Sequence, residues 1–229
     1  MLKAIIFDMD GVLVDSEPLH FEVDRLLLKE MGYELDYEYY KQFIGSTETV
    51  LWNSVKEKYQ LKESTQVLKA MAGNKKREIV EEHGFPEIEG VYDMIKRLHD
   101  SGFTMAVASS SSAGYIEEVT SYFKIKQYFK YLVSGEDVKH PKPAPDIFLK
   151  SAQLLGVEPS ECIVVEDSTI GTKAAKAAGM TCIGYVNPGS GPQNLESADY
   201  LIESYDCMDL EFVEMVYCRF ACDIHEHER

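Results

Sequence analysis

Hydrophobic positions along this chain fall into two kinds of run. Lys3–Phe7 (KAIIF) is a short β-branched and aromatic run closed by Asp8, the pattern of a buried strand. Three similar runs follow much later: Thr104–Ala108 (TMAVA), Cys162–Val165 (CIVV) and Thr181–Val186 (TCIGYV). Between them, apolar residues recur at helical spacing. Val91–Leu98 ends near Gly102, a C-cap candidate, and Pro145 opens a helix over Asp146–Leu155 that Gly156 closes. Ser168 or Thr169 caps a further helix running towards Gly179. Strands that alternate with helices predict a parallel sheet covered by helices on both faces.

Residues 16–86 break this rhythm. Helical patterns follow one another over Ser16–Met31, Tyr37–Phe43, Thr47–Tyr59 and Ser64–His83, punctuated by Gly32, Gly45 and Gly84-Phe85-Pro86. The expectation is an all-helical insertion after the first strand, with residues 1–15 and 87–229 forming one α/β core.

Composition narrows the possible roles. The chain has 229 residues, 45% of them apolar, enough for a large core. Its formal net charge is −16, about half of it carried from Glu196 onward. Such a chain lacks the basic excess that a general nucleic-acid binder needs, and an anionic membrane surface would repel it. The N-terminal run ends in acids rather than at a small-residue cleavage site, so no signal peptide is read there. Five cysteines without a C-x-x-C motif suit free thiols in a reducing cytoplasm.

The polar residues at the ends of the predicted strands carry the chemistry. Asp8-Met9-Asp10-Gly11 closes the first strand, and residues two apart on a strand share a face. Glu166-Asp167-Ser168 closes another. Acids gathered at two strand ends repel unless a hard cation with oxygen ligands sits among them, Mg²⁺ being the expected one. Ser109 ends a third strand, where its hydroxyl and the following backbone N–H groups, including that of Ser110, suit an anion. Lys142 lies in His140-Pro141-Lys142-Pro143-Ala144-Pro145, where flanking prolines restrict the backbone and so the direction of the ammonium.

Taken together, Asp8-x-Asp10-Gly-Val-Leu, Ser109, Lys142 in KPAPDIF and Glu166-Asp167 resemble, in order and spacing, the four motifs of the haloacid dehalogenase-like superfamily. The helical insertion after DGVLVDSEPLH resembles the cap of its phosphatase and β-phosphoglucomutase branch. The resemblance implies a Rossmann-like core with an α-helical cap, acting on a small phosphorylated substrate. It implies Asp8 as nucleophile, Asp10 as general acid and base, and Met9, Ser109, Ser110 and Lys142 around the phosphoryl group. It further implies Mg²⁺ held by the Asp8 carboxylate, the Asp10 carbonyl and the Asp167 carboxylate, with Glu166 close by. An acid two residues after the nucleophile argues against the dehalogenases, because halide departure needs no protonation. A monomer is expected by analogy.

The cap residues divide mutase from phosphatase. Ser16 and His20 fall where the mutases carry a small hydroxyl residue and a histidine. His20 either serves Asp10 or sits structurally between cap and core. The mutases also carry a cap arginine after a glycine. The matching stretch, Gly45-Ser46-Thr47-Glu48-Thr49, has none, and Glu48 would repel a phosphate. Lys75, Lys76 and Arg77 are the alternative distal grip, with Lys76 retained as a candidate. A phosphatase of small metabolites, sugar phosphates foremost, is therefore expected, with the mutase as the first alternative and a non-catalytic binding protein on the same fold as the lesser one. At the tail, Cys218, Cys222, His225 and His227 are zinc-ligand types at a spacing unlike the common structural sites, and no metal is assigned to them.

Overall fold

A computed structural model describes residues 1–44, 47–191 and 193–221. Six parallel strands form one sheet in the order β3-β2-β1-β4-β5-β6. They are β1 (Ala4–Phe7), β2 (Thr104–Ser109), β3 (Tyr131–Ser134), β4 (Cys162–Glu166), β5 (Thr181–Tyr185) and β6 (Tyr200–Ile202). β1 is central: Ile6 pairs with Ala106 of β2 on one side and Val164 of β4 on the other. Every residue of β1 is buried, as expected of a strand covered on both faces. The strand order reverses beside β1, and open parallel sheets place their ligands beyond the carboxyl ends of the strands at such a point.

Nine helices accompany the sheet among the described residues. α1 (Ser16–Glu30), α2 (Tyr37–Tyr40), α3 (Glu48–Tyr59) and α4 (Thr65–His83) follow one another without an intervening strand. α5 (Val91–Asp100), α6 (Ala113–Tyr122), α7 (Asp146–Leu155), α8 (Thr169–Ala177) and α9 (Leu210–Ala221) accompany the sheet strands. Ile147, Phe148, Ala152 and Leu155 of α7, with Ala174 and Ala175 of α8, pack on Ala4, Ile6, Ala106 and Val164. Phe7 points to the opposite face and meets Phe129 edge-on at 6.0 Å. Leu154, taken with the apolar residues of α7, is 38% exposed, because the buried stripe runs through residues 147, 148, 151, 152 and 155.

The chain divides into two compact units. One comprises Met1–Val14, Glu87–Pro188 and Gln193–Arg229, the other Asp15–Pro86 and Gly189–Pro192. Gly189 and Gly191, which the sequence reading placed with residues 87–229, lie close against residues of the helical unit. A Cβ on Gly189 would run into the Asp15 carboxylate, and one on Gly191 would meet Ile44 Cδ1 at 2.7 Å. Within the helical unit, Thr47 and Ser64 cap α3 and α4 by accepting from the N–H groups of Val50 and Val67.

β3 and β6 are absent from the sequence reading. Both are edge strands of three or four residues and only partly buried, so neither has the apolar run that marks β1 or β4. No helix among the described residues is long and apolar enough to cross a membrane.

Candidate active site

Side chains from four segments converge at the carboxyl end of the sheet. Asp8 follows β1 directly, its N–H donating to Val165 O at 2.9 Å. The chain then turns at Gly11, whose φ of +76° is a left-handed conformation that favours glycine. The turn is held from inside: Met9 O accepts from the N–H groups of Val12, Leu13 and Val14. It is also braced from outside, by Asn187 Nδ2 donating to Gly11 O at 3.1 Å and Tyr205 Oη donating to Val12 O at 2.8 Å. The Met9 side chain is fully buried, so only its backbone is available to a phosphate.

Lys142 reaches into the same place from the loop before α7, with side-chain exposure of only 3%. Its Nζ donates to Asp8 Oδ1 at 2.5 Å, Glu166 Oε1 at 2.7 Å and Ala108 O at 3.1 Å, using all three ammonium protons. Burial works against the charge of Lys142, but Asp8 and Glu166 outweigh it and hold the ammonium above its ordinary range. Burial pushes the Asp8 carboxyl well up, against the pull of Lys142, and the carboxylates of Glu166, Asp10 and Asp167 add to the rise.

Glu166 sits at the end of β4 with both oxygens engaged. Oε1 accepts from Lys142, and Oε2 accepts from the N–H and the hydroxyl of Ser168, each at 2.9 Å. Ser168 also caps α8 through Gly171 N–H. The helix approaches so closely that a Cβ on Gly171 would overlap the Glu166 carboxylate. Glu166 is thus placed to orient Lys142, and its three accepted hydrogen bonds leave one lone pair on Oε1.

Asp10 faces a different pair. Its Oδ2 accepts from Ser111 Oγ at 2.8 Å and Ser109 Oγ at 3.3 Å, and Ser111 N–H in turn donates to Ser109 Oγ at 3.0 Å. Asp10 Oδ1 is buried with no hydrogen-bond partner among the described residues. Ser110 is exposed and lines, with Lys142, Gly135 and Pro141, a cavity of 240 Å³.

The donor set suits a hard divalent cation. Asp8, Glu166 and Asp167 each offer a carboxylate oxygen within 4.8 Å of one another. Asp8 and Glu166 share the ammonium of Lys142, and the open oxygen of Asp10 lies in the same site. Surplus buried carboxylate charge is what a cation with oxygen ligands relieves.

The cap candidates lie together in the helical unit. His20 Nε2 and Lys76 Nζ are 3.3 Å apart, and both line a cavity of 80 Å³ with Glu17, Asp24, Tyr40, Glu48 and Trp52. Lys75 instead pairs with Glu30 at 2.7 Å and with Glu78, and Arg77 donates to Asn74, so neither lines that cavity. Ser16 is buried at the first position of α1. Gly45 and Ser46 of the stretch read against a mutase, and Cys222, His225 and His227 of the tail, lie outside the described residues.

Sequence reasoning missed Ser111, Asn187, Tyr205 and Gln193. Ser111 stood in a run of four serines with nothing to rank one above another. Asn187 was visible as a polar residue just past a strand end. Gln193 donates from a loop to Asp167 O at 2.6 Å, and it and Tyr205 carry no sequence signal at all.

Comparison with known proteins shows the family. The model of the haloacid dehalogenase-like hydrolase family matches residues 5–185. The fructose-1-phosphate phosphatase of Escherichia coli (strain K12) is 34% identical over 182 residues, covering 79% of this chain and 94% of that one. A phosphorylated carbohydrates phosphatase of Thermotoga maritima is 31% identical over 179 residues, 78% of this chain and 82% of its own. Among solved structures, a candidate β-phosphoglucomutase of Thermotoga maritima superposes with a TM-score of 0.81 at 29% identity, over 94% of this chain and 100% of that chain. Since the matched span starts in β1 and runs through both acidic strand ends to the close of β5, the chain belongs to the haloacid dehalogenase-like hydrolase family.

Proposed function

We propose that the chain is a Mg²⁺-dependent phosphatase of small phosphorylated metabolites, sugar phosphates foremost, working through an aspartyl-phosphate. The observation that carries this is the buried contact of Lys142 with Asp8 and Glu166, with Asp10 held separately by two serine hydroxyls. It supplies a fixed nucleophile, a fixed cation beside it and a second acid free of the ion pair.

On this reading an Asp8 oxygen attacks phosphorus as the bond from phosphorus to the ester oxygen breaks. Asp10, protonated, gives its proton to the departing oxygen. Asp10, now a carboxylate, takes a proton from water, whose oxygen attacks phosphorus and breaks the bond to Asp8. Phosphate leaves and both carboxyls return to their starting states. Lys142, Ser109 and the backbone N–H groups after Ser109 stabilise the phosphoryl oxygens, usually the largest contribution to such catalysis. Asp8 and Asp167, with the carbonyl of Asp10, would hold Mg²⁺, which supplies charge neutralisation at the phosphoryl oxygens. Glu166 acts through Lys142. The similarity to two sugar phosphatases supports the substrate class.

A phosphomutase shares every step except the last acceptor, and the structural neighbour described as a candidate β-phosphoglucomutase keeps that reading in view. The lack of an arginine in Gly45-Ser46-Thr47-Glu48-Thr49, and the acid at Glu48, favour the phosphatase. The free thiols of Cys162, Cys182, Cys207 and Cys218 fit the proposed cytoplasmic location, and a monomer is proposed with it.

The test is Mg²⁺-dependent hydrolysis of p-nitrophenyl phosphate by the wild type and by Asp8→Asn. Turnover that falls by at least about 10³-fold in the variant is expected. Equal turnover in both would sink the mechanism. Conversion of β-glucose 1-phosphate to glucose 6-phosphate without phosphate release, given a trace of the bisphosphate, would select the mutase instead.

A further inference from the structure

Gln193 is an amide tied to one of the residues that would hold the metal. Its Nε2 donates to Asp167 O at 2.6 Å, and Asp167 Oδ2 and Tyr185 O lie 3.4 and 3.5 Å from the same nitrogen. One amide proton thus serves the Asp167 carbonyl, and the other is shared between the Asp167 carboxylate and the end of β5. The stretch after Gln193 is pinned. Asn194 N–H donates to Thr169 Oγ1 at 3.2 Å, at the start of α8, and Leu195 is buried against β5 at Gly184. Earlier in the same connection between β5 and β6, Asn187 donates to Gly11 O. Two residues of one connection therefore reach both acidic turns. Gln193, Asp167 and these partners all belong to the unit that contains the sheet.

The three clustered carboxylates are held in different ways. Lys142 spends its three protons on Asp8, Glu166 and Ala108 O, and Glu166 is further fixed by Ser168. Asp167 is 6% exposed and offers an oxygen within 4.8 Å of the other two acids, whose charge acts to turn it away. We propose that Gln193 is the positioning residue of Asp167, holding its backbone and carboxylate so that the ligand is in place before Mg²⁺ binds. The proposal rests on the Mg²⁺ part of the reading above and adds the residue that orients a ligand. An amide suits the task. It donates to Asp167 without bringing a positive charge, whereas a lysine there would cancel the pull of the carboxylate on the cation. The choice of metal follows from the same hold. Mg²⁺ demands a nearly ideal octahedron of oxygens, and Ca²⁺ accepts flexible and irregular sets. A loosened Asp167 therefore costs Mg²⁺ more than Ca²⁺.

The test reads metal binding without turnover. Binding of Mn²⁺, which favours the same oxygen ligands, to the metal-stripped full chain is followed by electron paramagnetic resonance. Displacement of Mn²⁺ then gives the affinities for Mg²⁺ and Ca²⁺. Gln193→Met keeps the length of the side chain and removes both donors. It is expected to weaken Mg²⁺ binding by about 10- to 100-fold, with a smaller loss for Ca²⁺, so that the preference for Mg²⁺ falls. The metal-free melting temperature of the variant should stay within about 2–4 °C of wild type, the shift expected from one lost hydrogen bond. Asn194→Ala keeps the backbone contact to Thr169 and should leave the affinities unchanged. An unchanged Mg²⁺ affinity in Gln193→Met, or equal losses for both cations, would overturn the proposal. So would a loss of the same size in Asn194→Ala, since it would trace the effect to the loop rather than to the amide. A wild type that binds neither Mn²⁺ nor Mg²⁺ would overturn the metal reading and this proposal with it, whereas wild-type binding with an unaltered variant strikes the proposal alone.

Discussion

Lys142 depends on its neighbours for its place. A lone lysine in a sequence is usually a solvated surface residue, and only the flanking prolines and the acids of two distant strand ends singled this one out. The structure puts its Nζ against Asp8 and Glu166, so that cluster was legible because its chemistry is written in residue type and position. The Ser111 contact to Asp10 was not, because four adjacent serines differ only in where the backbone aims them. Nor was Asp24 legible as a buried carboxyl: an acid on an amphipathic helix reads as surface until the packing of α1 is known. Its titration makes a separate expectation. Burial lifts the native carboxyl to about 8 against 3.8 in the unfolded chain. Between those values the unfolded chain releases a proton that the native state keeps, so Asp24 lowers stability progressively as pH rises, up to about 8. Asp24→Asn should therefore be more stable than wild type at pH 7, by an upper bound on the order of 4 kcal/mol, and the two should converge near pH 4. Urea titrations across that range measure this, and a wild type at least as stable as the variant at pH 7 would contradict it.

At the scale of elements, caps and apolar stripes carried most of the information. Ser168, one of the two residues read as a cap, caps α8, Thr47 and Ser64, read as the first residues of helical runs, cap α3 and α4, and the α7 limits follow from Pro145 and Gly156. What the pattern left out was contact between elements. Gly171 in α8 reads as a helix weakness, costing about 1 kcal/mol against alanine. In the fold it is the position where the helix lies on the Glu166 carboxylate, and a methyl group there would occupy the space of that carboxylate. Gly171→Ala should therefore reverse the usual sign, with a loss of about 1–3 kcal/mol from overpacking. Activity should fall further than stability, by about tenfold or more in kcat, because Glu166 can no longer hold Lys142. Steady-state kinetics beside a thermal melt separate the two effects, and unchanged kcat would show that Glu166 does not position Lys142.

Across the whole molecule, the net charge of −16 acts on every anionic substrate that approaches. Lys142 is buried between two carboxylates and does little to attract a phosphate from a distance. Long-range repulsion is screened by salt, with a Debye length of about 30 Å at 0.01 M falling to about 8 Å at 0.15 M. KM for a phosphate monoester should accordingly fall, by about two- to fivefold, as NaCl rises over that range at fixed Mg²⁺. A KM that climbs with salt would mean that local positive charge steers the substrate. The sheet order was implied by the alternation of strands and helices, but its edges were not. β3 and β6 take their strand character from pairing with β2 and β5 rather than from their own residues.

The central position of β1 also has a consequence for how the chain comes to be folded. Of the six strands β1 is synthesised first, yet its partners begin at Thr104 and Cys162. A fully apolar strand must then wait, unpaired on both edges until β2 is made and on one edge until β4 follows. At about 5–20 residues per second that wait lasts on the order of ten seconds or more. The helices of Asp15–Pro86 are all made before β2, so their contacts with one another can form within that interval. Asp8 and Asp10 acquire their setting only when β4 arrives with Glu166, so the enzyme's activity comes last, and its nascent chain passes through a stage open to aggregation and to chaperones.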